Sequence, residues 1–331
     1  MSCKIALVDS GLDAELYEDK ITRYVEFTDD PNGEDKFDSN GHGTLCGSAM
    51  LSINPDIQFV VIKVLKENNL CSDERLLKAL ALLRDIDVNI INLSLSTHSQ
   101  EFTEQYKKVI TDLNEQGKVI IASTVNGNKP TLLSELNGTI GIYGNLFERP
   151  KHYWYNKSNK IQCVANSVPY LLKGKHGKYE LFGGNSKATA IFSGIVSLYW
   201  NQLKDCSLAE KETFLEGLAL RQSWSEDEVC LDLLSNNSRK MSSAKDSLYS
   251  KVSSVLSKKL KVELSDIIDP NGKCLHELGL TRHNAIYVIQ AIENEVGIKL
   301  NYSDVNMFWF YSLDSLCNNI REVKFGSSRY E

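Results

Sequence analysis

Four near-continuous aliphatic runs, alternating with stretches of helical periodicity, constrain this chain more than any other feature. Ile5-Ala6-Leu7-Val8 opens the series. Ile57 to Val64, Val88 to Ser94 and Val119 to Ser123 continue it. Runs this short and this rich in Val and Ile suit strands buried on both faces, as in a parallel sheet. Between them, Ser72 to Asp85 places Leu76, Leu77, Leu80 and Leu83 on one helical stripe, and Phe102 to Gln116 reads as a second helix. Strand–helix–strand repetition predicts an α/β fold, a doubly wound and mostly parallel sheet with right-handed crossovers.

The pattern changes near residue 235. A polar stretch over 236–245 lacks apolar periodicity and reads as a linker. Residues 246–331 then read as a small helical bundle. Asp246 to Leu260 spaces Leu248, Val252, Val255 and Leu256 as one helix face. Asp269-Pro270-Asn271-Gly272 reads as a loop, and Thr281 to Val296 as a helix with Thr281 as N-cap and Gly297 as its stop. Shorter helical segments are expected near Tyr302–Met307 and Ser312–Ile320. Two domains, 1–235 and 246–331, suit a chain of 331 residues.

Composition removes whole classes of function. A net charge of -6 argues against general nucleic-acid binding, which needs a basic face to displace counterions. No apolar stretch reaches the roughly 18 residues that span a bilayer. The start of the chain has no basic segment, long apolar segment or cleavage site of a secretory signal, so the expected location is the cytoplasm. The 8 cysteines form no Cys-x-x-Cys pair and are expected as free thiols, mostly in the core. No carboxylate cluster has calcium-ligand spacing; Asp29-Asp30 and Glu34-Asp35 read as a solvated loop, and neither metal nor cofactor is expected.

Three segments can carry chemistry. Val8-Asp9-Ser10-Gly11 ends the first strand, at the sheet edge where open α/β folds place their sites. Asn40-Gly41-His42-Gly43-Thr44 flanks an imidazole with glycines. Gly183-Gly184-Asn185-Ser186 sets a serine between a turn and an apolar helix, where free N–H groups can stabilise an oxyanion. Taken singly, these are a turn, a structural histidine and an N-cap. Taken together, Asp then His then Ser is the chain order of the subtilisin-type triad.

On these residues the sequence resembles the subtilase family of serine peptidases over roughly residues 3 to 205. Asp9-Ser10-Gly11, His42-Gly43-Thr44 with Gly47, and Gly184-Asn185-Ser186-Lys187-Ala188-Thr189-Ala190 are similar to its three motifs. The last has Asn, Lys and Ala where the family has Thr, Met and Pro. The resemblance implies Asp9, His42 and Ser186 as the catalytic groups and Asn126 as the oxyanion donor, with Asn128 as a fallback. It implies that Ser94, Leu95 and Ser96 pair with the substrate backbone as an added strand. Thr124-Val125 stands where relatives carry Ala-Gly before the oxyanion Asn. The stretch from Asn126 to Ile140 looks shortened; Glu135 within it reads either as a selector of basic residues or as a solvated surface charge.

The C-terminal helices and the Leu278-Gly279 step resemble an acyl or peptidyl carrier domain. Arg282 occupies the position of the serine that holds a phosphopantetheine arm in that family, so a degenerate carrier fold kept for docking a protein partner is expected. Phe308-Trp309-Phe310-Tyr311 reads as core packing or as a docking surface. The resemblances together imply a serine endopeptidase acting on a peptide or protein, in a dedicated processing role such as leader removal. The alternative is a pseudopeptidase that keeps the groove as a binding scaffold.

Overall fold

The computed structural model describes residues 2–27, 38–97, 99–229, 246–268 and 274–325. The expected linker 236–245, the loop at Asp269-Pro270-Asn271-Gly272, and the pairs Asp29-Asp30 and Glu34-Asp35 lie outside them. The chain forms two compact units, and a single cut does not separate them. Pro169–Leu172 and Tyr179–Phe182 group with the C-terminal residues, while Lys173–Lys178 between them groups with the first unit.

The first unit runs β1 (Lys4–Asp9), α1 (Ala14–Tyr17), β2 (Ile21–Glu26), α2 (His42–Ile53), β3 (Gln58–Lys63), α3 (Asp73–Leu82), β4 (Ile90–Leu93), α4 (Thr103–Glu115), β5 (Val119–Ser123), α5 (Leu132–Glu135), β6 (Thr139–Asn145), β7 (Tyr153–Tyr155) and β8 (Cys163–Asn166). After β9 (Tyr170–Lys173) and β10 (Tyr179–Phe182) it resumes with α6 (Asn185–Leu198), α7 (Trp200–Leu203), α8 (Leu208–Leu218) and α9 (Glu226–Val229). Eight strands form one sheet in the order β2-β3-β1-β4-β5-β6-β8-β7. Its pairings are parallel, as expected, apart from the antiparallel edge strand β7. The apolar runs do not announce β6, because Gly141 and Gly144 interrupt it; β2, β7 and β8 are short or polar.

Strand alternation sorts side chains between two layers. Val8, Ile62, Leu93 and Ala122 share a core with Leu76 and Leu80 of α3 and Tyr106 and Ile110 of α4. The other parity faces α2 and α6. Leu7 and Phe59 lie against Gly47 of α2, and the Ser193 hydroxyl of α6 donates to Asn92 Oδ1 at 2.9 Å. Asp9 has the parity of Leu7, so its carboxylate faces the layer that carries His42 and Ser186.

The second unit contains the two-stranded β9–β10 sheet, α10 (Ser247–Leu260), α11 (Leu264–Ile268), α12 (Ala285–Val296) and α13 (Leu313–Phe325). Asp246 caps α10, its side chain accepting from the Tyr249 N–H. The helix expected from Thr281 begins at Ala285. Thr281 and Asn284 bond reciprocally, side chain to backbone N–H, and close a turn before the first helical residue. Short 3₁₀ turns fall at Tyr302–Asp304 and Met307–Phe310. Leu248, Val252, Leu256, Ile289, Ile292 and Leu316 form the core, with Leu171 of β9 fully buried among them. Trp309 and Phe310 are buried and Tyr311 is exposed, so the aromatic run divides between packing and surface. No described helix is long and apolar enough to cross a membrane. The described cysteines are free thiols, four of them buried.

Candidate active site

Asp9 is the last residue of β1 and is fully buried. Its Oδ1 accepts from the Ser10 N–H at 2.8 Å and lies 2.8 Å from His42 Nδ1. Asp9 Oδ2 has no hydrogen-bond partner among the described residues, so the imidazole is the main compensation for a buried carboxylate. His42 opens α2. The helix can come this close to β1 because residue 43 is glycine: a β-carbon there would lie 2.0 Å from the Gly11 carbonyl oxygen.

Asp38, four residues before His42 and fully buried, ties these pieces together. Its carboxylate accepts from the Ser10 hydroxyl at 2.6 Å and from the N–H groups of Gly41 and Thr44 at 2.9 and 2.7 Å. From three residues before the N-cap, Gly41, it therefore holds the first turn of α2 with charge-assisted bonds and links that helix to the Asp9 turn. The sequence reading missed it. Asp38 lies three residues before the N-cap, Gly41, so the usual cap pattern does not point to it.

Burial penalises a charged His42 ring, but Asp9 and the neighbouring Cys46 outweigh that, and its pKa is held well above 6.5. Cys46 lies one helical turn on, Sγ 3.9 Å from Nδ1, and burial pushes its thiol up. Asp9, His42 and Cys46 are the described residues whose donor atoms come close enough to hold a metal ion. A thiol whose pKa burial raises and an Nδ1 already facing Asp9 make that a poor ligand set.

Ser186 is the second residue of α6. Its hydroxyl donates to the Ser94 carbonyl at 3.2 Å, and the Ser94 hydroxyl donates to the Ser186 carbonyl at 3.1 Å. Ser94 also hydrogen-bonds Cys46. One continuous set of contacts thus joins Ser186, Ser94, Cys46, His42 and Asp9. Leu95 and Ser96 follow Ser94 beyond the end of β4, half-buried and exposed respectively.

The segment after β5 is held by Asn185. Its side-chain N–H groups reach the Val125 carbonyl at 2.7 Å, Thr124 Oγ1 at 2.8 Å and Asn128 Oδ1 at 3.1 Å. Asn185 and Thr124, two departures from the family pattern, are therefore partners. Asn126 is exposed, and its Oδ1 accepts the Asn185 N–H at 3.0 Å. Asn128 Nδ2 donates to the Gly144 and Val229 carbonyls, and its Oδ1 accepts from Gly144 N–H. Its side chain is committed to the framework.

Lys187, beside Ser186, is almost fully buried, with Nζ 3.3 Å from the Asn166 carbonyl oxygen; burial lowers its pKa to about 7. Glu135 meets Lys160 at 2.7 Å, so its charge is answered within the chain.

Fold and site together describe an α/β hydrolytic enzyme of the subtilisin type. The model of the subtilase family matches residues 2–238, and the chain belongs to that family of serine peptidases. Its substrates are accordingly peptides or proteins. Among solved structures it is similar to a cold-adapted subtilisin-like serine proteinase, with a TM-score of 0.55 and 14% identity over 65% of this chain and 81% of that one. It is similar to a lanthipeptide protease, with a TM-score of 0.56 and 20% identity over 66% and 80%. A third, sphericase, gives a TM-score of 0.55 and 17% identity over 65% and 82%. No curated protein matches the sequence. The family match ends at 238, and nothing in these comparisons supports a carrier-like C-terminal domain.

Proposed function

We propose that this serine peptidase works through Asp9, His42 and Ser186. The Asp9–His42 contact at 2.8 Å, linked through Cys46 and then Ser94 to Ser186, is the observation that carries the reading. With Nδ1 facing Asp9, Nε2 is the nitrogen that takes the proton as the Ser186 hydroxyl attacks a peptide carbonyl. Asp9 stabilises the imidazolium, which then protonates the leaving amine. A water activated by the same ring hydrolyses the acyl-enzyme. Asn126, whose oxygen is held by Asn185, offers its amide N–H₂ to the oxyanion beside the Ser186 N–H. Removing such a donor costs about 10²–10³ in kcat. Asn128 is the weaker candidate because its side chain is spent elsewhere. Ser94, Leu95 and Ser96 would present backbone to an extended substrate.

The finer reading is a dedicated processing enzyme that removes a leader from a precursor peptide. It is supported by the similarity in fold to a lanthipeptide protease. The C-terminal helices would then dock the precursor or a protein partner; Leu264, Tyr287, Tyr311 and Val323 are the large apolar side chains they expose.

Intact-mass analysis after fluorophosphonate treatment tests the mechanism. The wild type should gain one adduct and Ser186→Ala none. A folded wild type that stays unlabelled would favour the pseudopeptidase alternative.

A further inference from the structure

The loop joining β9 to β10, Lys173-Gly174-Lys175-His176-Gly177-Lys178, carries three lysines, one histidine and no carboxylate in a chain of net charge -6. His176 and Lys178 are exposed, and Lys173 and Lys175 half-buried. None of the three lysines forms an ion pair among the described residues, and neither do Glu15 and Glu18 near α1.

The loop is built rather than loose. Gly174 N–H donates to the Lys178 carbonyl at 2.7 Å and Gly177 N–H to the Gly174 carbonyl at 3.1 Å. His176 sits in the left-handed region, at φ 56° and ψ 28°, which is uncommon for a residue with a β-carbon. What holds it there is Asp13, almost fully buried, whose Oδ2 accepts the His176 N–H at 2.7 Å. The other Asp13 oxygen accepts from Glu15 N–H and Leu16 N–H, so both oxygens of this carboxylate are held by backbone and none is paired with a lysine among the described residues.

The loop is also placed beside the catalytic helix. A β-carbon on Gly41, the residue before His42, would lie 3.6 Å from Cβ of Lys175. In the mechanism proposed above, His42 protonates the leaving amine, so the substrate segment after the scissile bond runs past His42. We propose that the Lys173–Lys178 loop is a specificity surface that selects peptides carrying Asp or Glu within the first few residues after the cleaved bond. This inference rests on the proposed triad for its orientation. An acidic segment meeting two or three of these lysines gains attraction that falls with salt.

Cleavage of a randomised peptide library by the full chain, with products sequenced by mass spectrometry, is the test. At low ionic strength, acidic residues after the cleaved bond should be enriched about threefold over their amides. The enrichment should vanish in 0.5 M NaCl and in Lys175→Glu/Lys178→Glu, and weaken in the gentler Lys178→Gln. No enrichment, or enrichment that survives the double substitution, overturns the proposal. Binding of a fluorescein-labelled hexaglutamate peptide to Ser186→Ala, followed by anisotropy, reads the surface without turnover. A chain that cleaves nothing would sink the proposed mechanism. The basic surface then stands or falls on whether the lysine substitutions weaken that binding about tenfold.

Discussion

At the residue scale, the half-buried His42 and the buried Lys187 carry the strongest pH dependence. His42 has a pKa well above 6.5 because Asp9 outweighs burial. Acting as a base, it must first lose its proton, so the acid limb of kcat/KM against pH should lie above 6.5. In Asp9→Asn the largest influence that raises the ring's pKa is gone, and the limb should move to lower pH while the maximal rate falls by about 10⁴. A pH-rate profile of both proteins checks this; limbs at one pH would refute it. The raised value also means that the ion pair stabilises the fold fully below about pH 6.5 and that this contribution is lost as pH rises through the folded pKa. Lys187 is the opposite case. Burial lowers its pKa to about 7, whereas an unfolded lysine titrates near 10.4. Between those values the unfolded chain binds the extra proton, so stability rises with pH. Lys187→Met should therefore raise unfolding free energy at pH 7 by on the order of 3 kcal/mol, a gain that shrinks toward pH 10. Urea titrations at the two pH values measure it. The residues proposed as the triad, Asp9, His42 and Ser186, were legible as candidates in the sequence because each sits in its own short motif. Asp38 and the Asn185–Thr124 pairing were not, since their roles exist only once distant segments meet.

At the element scale, the site depends on how closely α2 lies against β1. A β-carbon on Gly43 would meet the Gly11 carbonyl oxygen at 2.0 Å, a backbone atom that cannot swing aside. Gly43→Ala should cost about 3 kcal/mol of stability and at least a hundredfold in fluorophosphonate labelling rate. Thermal melts and labelling time courses report the two effects; a variant that labels at the wild-type rate would show the contact to be soft. Elements with strong periodicity were read nearly to the residue: α3, α4 and α10 begin within one residue of their expected starts. The start of α12 was misplaced because Thr281 and Asn284 make a closed turn that resembles a cap in sequence. The pair β9 and β10 was not read at all, for neither strand is a continuous apolar run.

At the scale of the whole molecule, those two strands matter most. Leu171 is fully buried, and Tyr179 and Leu181 pack against the same C-terminal core. Backbone bonds join Leu171 N–H to the Val305 carbonyl at 2.8 Å and Leu181 N–H to the Arg282 carbonyl at 3.2 Å. Deleting residues 246–331 removes these partners and bares a strand pair with open edges. The truncated chain should aggregate or bind a hydrophobic dye strongly. Soluble, monomeric material with an unchanged melting temperature would show that the first unit stands alone. The sequence by itself determined the α/β class and the chain order of Asp9, His42 and Ser186, because periodicity and short motifs are local properties. Only the tertiary structure decided that Asp38 fastens the helix bearing His42, that Asn185 anchors Asn126, and that a basic loop is clamped beside that helix. Each of those needs segments far apart in sequence to come within hydrogen-bonding or van der Waals distance, which no local pattern encodes.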